Sequence, residues 1–241
     1  MHKIDTKGLL LRIFIPTIVL SLSYIILGHF CPIPHILLFC ILGTFILVPI
    51  ELGIILKASK REYGKYSLQS AFAGQEKNLE SVDMIIAFVF FGIAGLVSAF
   101  IAPIENQVFV EIRNDVLNSL PRGFDWTNYE YLKSFSSPIL IITCAYYGIF
   151  NVFIGPITEE LFFRGYLTSH YKMQTSFTPI MIAILFSLYH FWLPFNNVFR
   201  ILVFAPVAYI AYKKKSLYIS IYFHCLCNLF SILSFILAVL V

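Results

Sequence analysis

Ile154-Gly155-Pro156-Ile157-Thr158-Glu159-Glu160-Leu161-Phe162-Phe163-Arg164 places two adjacent carboxylates and an arginine inside the most apolar half of a very apolar chain. On either side the sequence runs for many residues with almost no charge. Charged groups at membrane depth cost a few kcal/mol each on insertion scales, at the least, and they mark reaction centres or transport pathways. This stretch therefore says two things at once. The chain crosses a membrane, and it keeps a polar site inside it.

The whole composition agrees. Of 241 residues, 59% are hydrophobic and 12% charged, against about 25% charged in soluble domains. Apolar runs of roughly 17–25 residues are long enough to span as helices. They fall at about 9–28, 35–56, 84–103 and 138–155, followed by a shorter stretch at 157–171 and runs at 177–193, 198–212 and 216–240. Only helices and closed barrels satisfy their backbone in lipid, and runs this long exclude barrel strands. The expected fold is all-α: a polytopic transmembrane helical bundle of about eight helices with a polar intramembrane cavity. Residues 1–137 supply N-terminal membrane helices with polar loops, and 138–241 supply the core helices around the site.

The net charge of +4 is not a nucleic-acid signal, because the basic residues lie mostly between spans. Lys57, Lys60, Arg61, Lys65 and Lys77 crowd into 57–83, and Lys213-Lys214-Lys215 forms a second basic turn. The positive-inside rule makes both cytoplasmic, the N-terminus with them, and the more acidic 104–137 loop external. These assignments agree if the 157–171 helix, rising only ~22 Å at 1.5 Å per residue, does not cross completely. A small amphipathic segment is expected at the interface within 59–82. The run Leu9–Gly28 lacks a small-residue cleavage pattern and reads as the first span. A multi-pass protein of a bacterial inner membrane is the expected setting. Cys225 and Cys227, two apart on a helix, point about 200° apart and cannot share a ligand site; no disulfide is expected among the five cysteines.

Thr158 after Gly155-Pro156 reads as a helix start, with the acids in the first turn where the dipole favours them. Glu160 and Arg164 are i and i+4 and can pair, leaving Glu159 for chemistry. Phe186 and His190 share a helical face, as do His224 and Asn228. Antiparallel helices match residues equidistant from their turn. A turn centred near 174–175 sets Glu159 level with His190, and the turn at Lys213–Lys215 sets His224 level with Phe204. A carboxylate with an imidazole can activate water, and a histidine with an asparagine amide can donate to an oxyanion. Separately each pair has a plain alternative, an interfacial ion pair or an interhelical hydrogen bond; convergence at one depth favours a site.

These motifs, Glu159-Glu160-x-x-x-Arg164, Phe186-x-x-x-His190 and His224-x-x-x-Asn228, resemble in order and spacing those of the CAAX-processing and bacteriocin-processing intramembrane proteases, the Abi or CPBP family. The resemblance covers about residues 138–235. It implies an eight-helix bundle and a glutamate-dependent endopeptidase in which Glu159 and His190 activate water. His224 and Asn228 would then stabilise the oxyanion, with Glu160, Arg164 and Phe186 in support. The implied substrate is a peptide or lipidated protein at the bilayer: a prenylated CAAX-type end, or a bacteriocin or signal-peptide precursor. Two histidines and a glutamate could in principle hold zinc; the asparagine in the same pocket favours a metal-free site with no cofactor. The resemblance also admits a non-catalytic bacteriocin-immunity or membrane scaffold protein. A transporter is disfavoured because no internal repeat is present. His-Glu-x-x-His, Gly-x-Ser and Gly-x-Gly-Asp, the marks of other intramembrane proteases, are absent from the sequence.

Overall fold

The computed structural model describes residues 3–75 and 79–240; Lys77, one of the basic residues of the first polar stretch, lies outside them. Among the described residues eight helices account for the bundle: α1 Thr6–Gly28, α2 His35–Tyr63, α3 Ser81–Asn118, α4 Tyr129–Lys133, α5 Ser137–His170, α6 Thr178–Leu188, α7 Asn197–Lys214 and α8 Leu217–Leu240. Six helical stretches are long and apolar enough to span a bilayer. The chain is an integral, multi-pass membrane protein.

The chief departure from the sequence reading is α5. Two helices were expected, broken at Gly155-Pro156, with Thr158 as the cap of the second. Instead one helix runs from Ser137 to His170 and Thr158 lies inside it. The reason is local. Between Phe150 and Ile154 the helix widens to π pairing, and the Gly155 N–H bonds the Phe150 carbonyl five residues back. The next donor in that register would be residue 156, a proline with no N–H. The Asn151 carbonyl is thus left over, and the Asn228 amide of α8 donates to it at 2.7 Å. Proline in a membrane helix is tolerated when a neighbouring helix supplies the missing bond, and here it does. A second π stretch, Leu161–Leu167, follows at once. The helix that falls short of crossing is α6, whose 11 residues rise only ~16 Å.

Contacts between elements define two ends of the bundle. At one end the Ile4 N–H bonds the His170 carbonyl, His170 Nε2 meets Glu62 at 3.1 Å, and Ser216 donates to Asp83 at 2.7 Å. In the segment expected to be amphipathic within 59–82, the described residues up to 75 form the tail of α2 and a turn-rich loop. Ala71 in that loop packs against Gly165, where a Cβ would come within 2.4 Å of the Ala71 carbonyl oxygen. At the other end the loop before α4 plugs the bundle. Trp126 donates to the Tyr24 hydroxyl at 2.8 Å and packs on Phe39 at 5.0 Å, which packs on Trp192 at 5.0 Å.

Two buried acids hold α3 in place. Besides Asp83, Glu105 accepts the N–H groups of Val198 and Phe199 at 2.8 and 2.9 Å. Those are unpaired donors of the first turn of α7, whose own N-cap makes no side-chain hydrogen bond.

Candidate active site

α5 carries both acids of the opening motif into the core: Glu159 is 7% exposed and Glu160 fully buried. Glu160 is the most heavily engaged group. Its Oε2 lies 3.2 Å from Arg164 Nε along the helix, and its Oε1 accepts from His224 Nδ1 of α8 at 2.9 Å. The Arg164 pair is off hydrogen-bond alignment, and the guanidinium finds no other hydrogen-bond partner among the described residues. Two rings make up for part of this: Arg164 lies over Phe186 at 4.1 Å and near Phe204 at 5.4 Å. Desolvated cation–π contacts of this kind contribute about 2 kcal/mol.

The helical registers are those the turn arithmetic requires. Phe163 meets Phe186 at 5.1 Å across the α5–α6 turn, an equidistant pair like Glu159 and His190. His224 meets Phe204 at 4.8 Å across the α7–α8 turn. Both histidines pack edge-on against Phe186, at 4.7 and 5.7 Å. The motif phenylalanine is therefore the floor on which they sit.

At the level of contacts the arrangement differs from the pairing drawn from sequence. The imidazole nearest Glu159 belongs to His224, whose Nε2 lies 3.8 Å from Glu159 Oε2. His224 thus bridges the acids, one nitrogen to each. His190 belongs to none of the site's ion pairs. Its Nδ1 bonds the Phe186 carbonyl at 2.7 Å. A carbonyl can only accept, so Nδ1 carries the hydrogen, and in the neutral ring Nε2 is left with its lone pair. Asn228 spends one amide hydrogen on Asn151 and retains the other. No group of three or more His, Cys, Asp or Glu among the described residues is arranged to hold a metal ion.

Four further residues complete the site. Glu51 of α2 is fully buried and accepts from the Tyr189 hydroxyl at 2.8 Å. The Tyr189 carbonyl accepts from Thr17 of α1 at 2.5 Å. Arg200 of α7 donates to the Ser187 and Leu193 carbonyls at 3.1 and 3.3 Å and to Asn197 Oδ1 at 3.1 Å, which ties down the loop that carries His190. A lone acid in the run His35–Leu56 was the available sign for Glu51, since a charge inside an apolar span is a functional mark by default. Arg200 gives the same sign more weakly, near a span's end. Tyr189 and Thr17 give none, as both are ordinary in membrane helices.

Comparison with known proteins covers the same segment. Residues 141–230 match the family model described as type II CAAX prenyl endopeptidase Rce1-like, a stretch containing all three motifs but none of Glu51, Thr17 or α3. No curated protein and no solved structure gave a significant match. Over residues 141–230 the chain is thus similar to the Rce1-like type II CAAX prenyl endopeptidases, a family of membrane-embedded CAAX-type proteases.

Proposed function

We propose that this protein hydrolyses a peptide bond near the C-terminus of a prenylated, membrane-held protein, with Glu159 as the general base. The observation that carries the reading is the division of labour between adjacent acids. Glu160 is spent on Arg164 and His224, while Glu159 keeps the greater access and lies across from His224 Nε2.

In the proposed reaction a water held by Glu159 and the His190 Nε2 lone pair attacks the scissile carbonyl carbon. Glu159 takes the proton as the new C–O bond forms, and the carbonyl oxygen becomes an oxyanion. His224, whose Nδ1–H is held by Glu160, must carry both ring hydrogens to face that charge; its Nε2–H and the second amide hydrogen of Asn228 then donate to the oxyanion. The tetrahedral intermediate then expels the amine as the C–N bond breaks, and Glu159 returns the proton to the leaving nitrogen. Positioned proton transfer contributes 10²–10⁴-fold and a lost oxyanion donor costs about 10²–10³-fold. Glu160 and Arg164 act through His224 and Phe186, holding the imidazole and the aromatic floor.

The end carrying Lys3, Lys60, Arg61, Lys172 and Lys213–Lys215 is assigned to the cytoplasm by the positive-inside rule. The Trp126 plug then lies on the outer side.

The test is cleavage of a farnesylated C-terminal peptide by purified protein in detergent, with and without a chelator. Wild type should cut and Glu159→Gln should lose at least about 10²-fold in kcat, with chelation having no effect. Undiminished cleavage by Glu159→Gln would remove the base, and chelator-sensitive cleavage would point to a metal instead.

A further inference from the structure

Glu51 sits outside the three motifs and outside the matched segment, and the hydrolysis drawn above does not use it. Its position is nonetheless costly. The side chain is fully buried; among the described residues one oxygen has a hydrogen-bond partner, Tyr189, and the other has none. A buried acid with one neutral hydrogen bond is left poorly compensated for its lost hydration, and a leucine would fill such a helix position without that penalty. Acids kept in membrane spans against that cost serve function.

What Glu51 touches points to the role. The hydroxyl that it holds belongs to Tyr189, the residue before His190, and this hydroxyl also lies against Glu159. Tyr189 cannot move away. Its ring is packed by Phe163 at 5.0 Å and Trp192 at 5.3 Å, and its carbonyl is fixed by Thr17. The hydroxyl has one hydrogen and two acids within its reach. The local backbone is matched as well. Glu51 follows a π stretch, Gly43–Leu47, closed by Val48 N–H to the Gly43 carbonyl and then Pro49. That is the device which precedes Pro156 and Glu159, and π-bulges gather at functional sites.

We propose that Glu51 is a positioning residue of the reaction centre: by accepting the Tyr189 hydroxyl hydrogen, it keeps that hydrogen off Glu159. The lone pairs of Glu159 stay available to water. Once Glu159 has taken the water's proton, the Tyr189 oxygen is placed to accept the Glu159 O–H, which holds the acid in place until the amine leaves.

The inference rests on Glu159 being the base, and the experiment separates the two ideas. With Glu51→Leu, the hydroxyl turns to Glu159. kcat should fall at least tenfold with KM within twofold of wild type. Adding Tyr189→Phe removes the misdirected hydrogen, so the double variant should recover most of the loss. It also replaces both partners by apolar groups, which is close to neutral for stability, so it tests the idea in a folded protein. Glu51→Gln, which keeps an acceptor, should stay closer to wild type than Glu51→Leu. A Glu51→Leu protein at wild-type kcat, or a double variant as slow as Glu51→Leu, overturns the proposal. If Glu159→Gln is inactive in the same assay, that failure belongs to Glu51 alone; if Glu159→Gln is active, the base assignment itself falls. An arm independent of turnover uses infrared spectra of the carboxylate region. The band lost in Glu159→Gln should shift in Glu51→Leu and return in the double variant, and a band that stays put overturns the proposal.

Discussion

Glu160 shows how much a single side chain can hold. Among the described residues it is the ion-pair partner of Arg164 and the acceptor for His224. Removing one partner of a buried pair costs about 3–5 kcal/mol, because the other charge is left uncompensated. Glu160→Leu should therefore lower thermal stability in detergent sharply. Glu160→Leu/Arg164→Met, with no stranded charge, should be the more stable of the two despite carrying two changes. Thermal unfolding followed by circular dichroism measures both. At this scale the sequence was informative for residues whose chemistry is odd for their surroundings. Glu159, Glu160, Arg164 and His224 stood out because apolar neighbours surround them. Tyr189 did not, since tyrosine needs no excuse in a membrane helix. Its importance comes from which two acids lie beside it, and that is a property of three helices rather than of one.

Among the elements, α5 separates what local rules can and cannot reveal. Glycine and proline at 155–156 read as a break, which is their ordinary meaning. The break is averted by an amide 77 residues away, and no local pattern encodes that. Two measurements follow. Asn228→Leu should destabilise the protein by about 1–3 kcal/mol, the cost of stranding a buried carbonyl, in addition to any effect on turnover. Pro156→Ala in that background restores an N–H at the bulge and should recover part of the loss; chemical unfolding of the single and double variants decides it. Gly165→Val would drive a side chain into the Ala71 carbonyl. It should loosen the loop over residues 64–75 and hasten limited proteolysis there. By contrast the helical registers were legible, because 1.5 Å per residue makes depth a matter of counting from a turn. Phe163–Phe186 and His224–Phe204 meet as counting requires.

For the molecule as a whole, the long apolar runs and the placing of the basic residues were a sound basis for an all-α bundle and for which polar stretches share an end. The incomplete crossing was assigned to 157–171 because a proline appeared to bound it; α6 is the short helix instead. Membrane topology can be measured directly. With an impermeant thiol reagent on vesicles, Met173→Cys and Lys214→Cys should react from the same side as each other, and Lys133→Cys only from the opposite side. Reaction of all three from one side would break the two-ended arrangement. The anchoring of α3 has one more consequence. Asp83 and Glu105, its two buried acids, are 22 residues apart, ~33 Å at helical rise. Each is fixed to the α7–α8 hairpin. Most membrane helices meet a thinner or thicker bilayer by changing tilt on their own; α3, fastened near its start and again two thirds of the way along, can do so only by carrying α7 and α8 with it. The protein therefore has a built-in ruler close to the ~30 Å hydrocarbon thickness of an ordinary bilayer, and lipids of unusual chain length would strain the same helices that support His224 and the His190 loop.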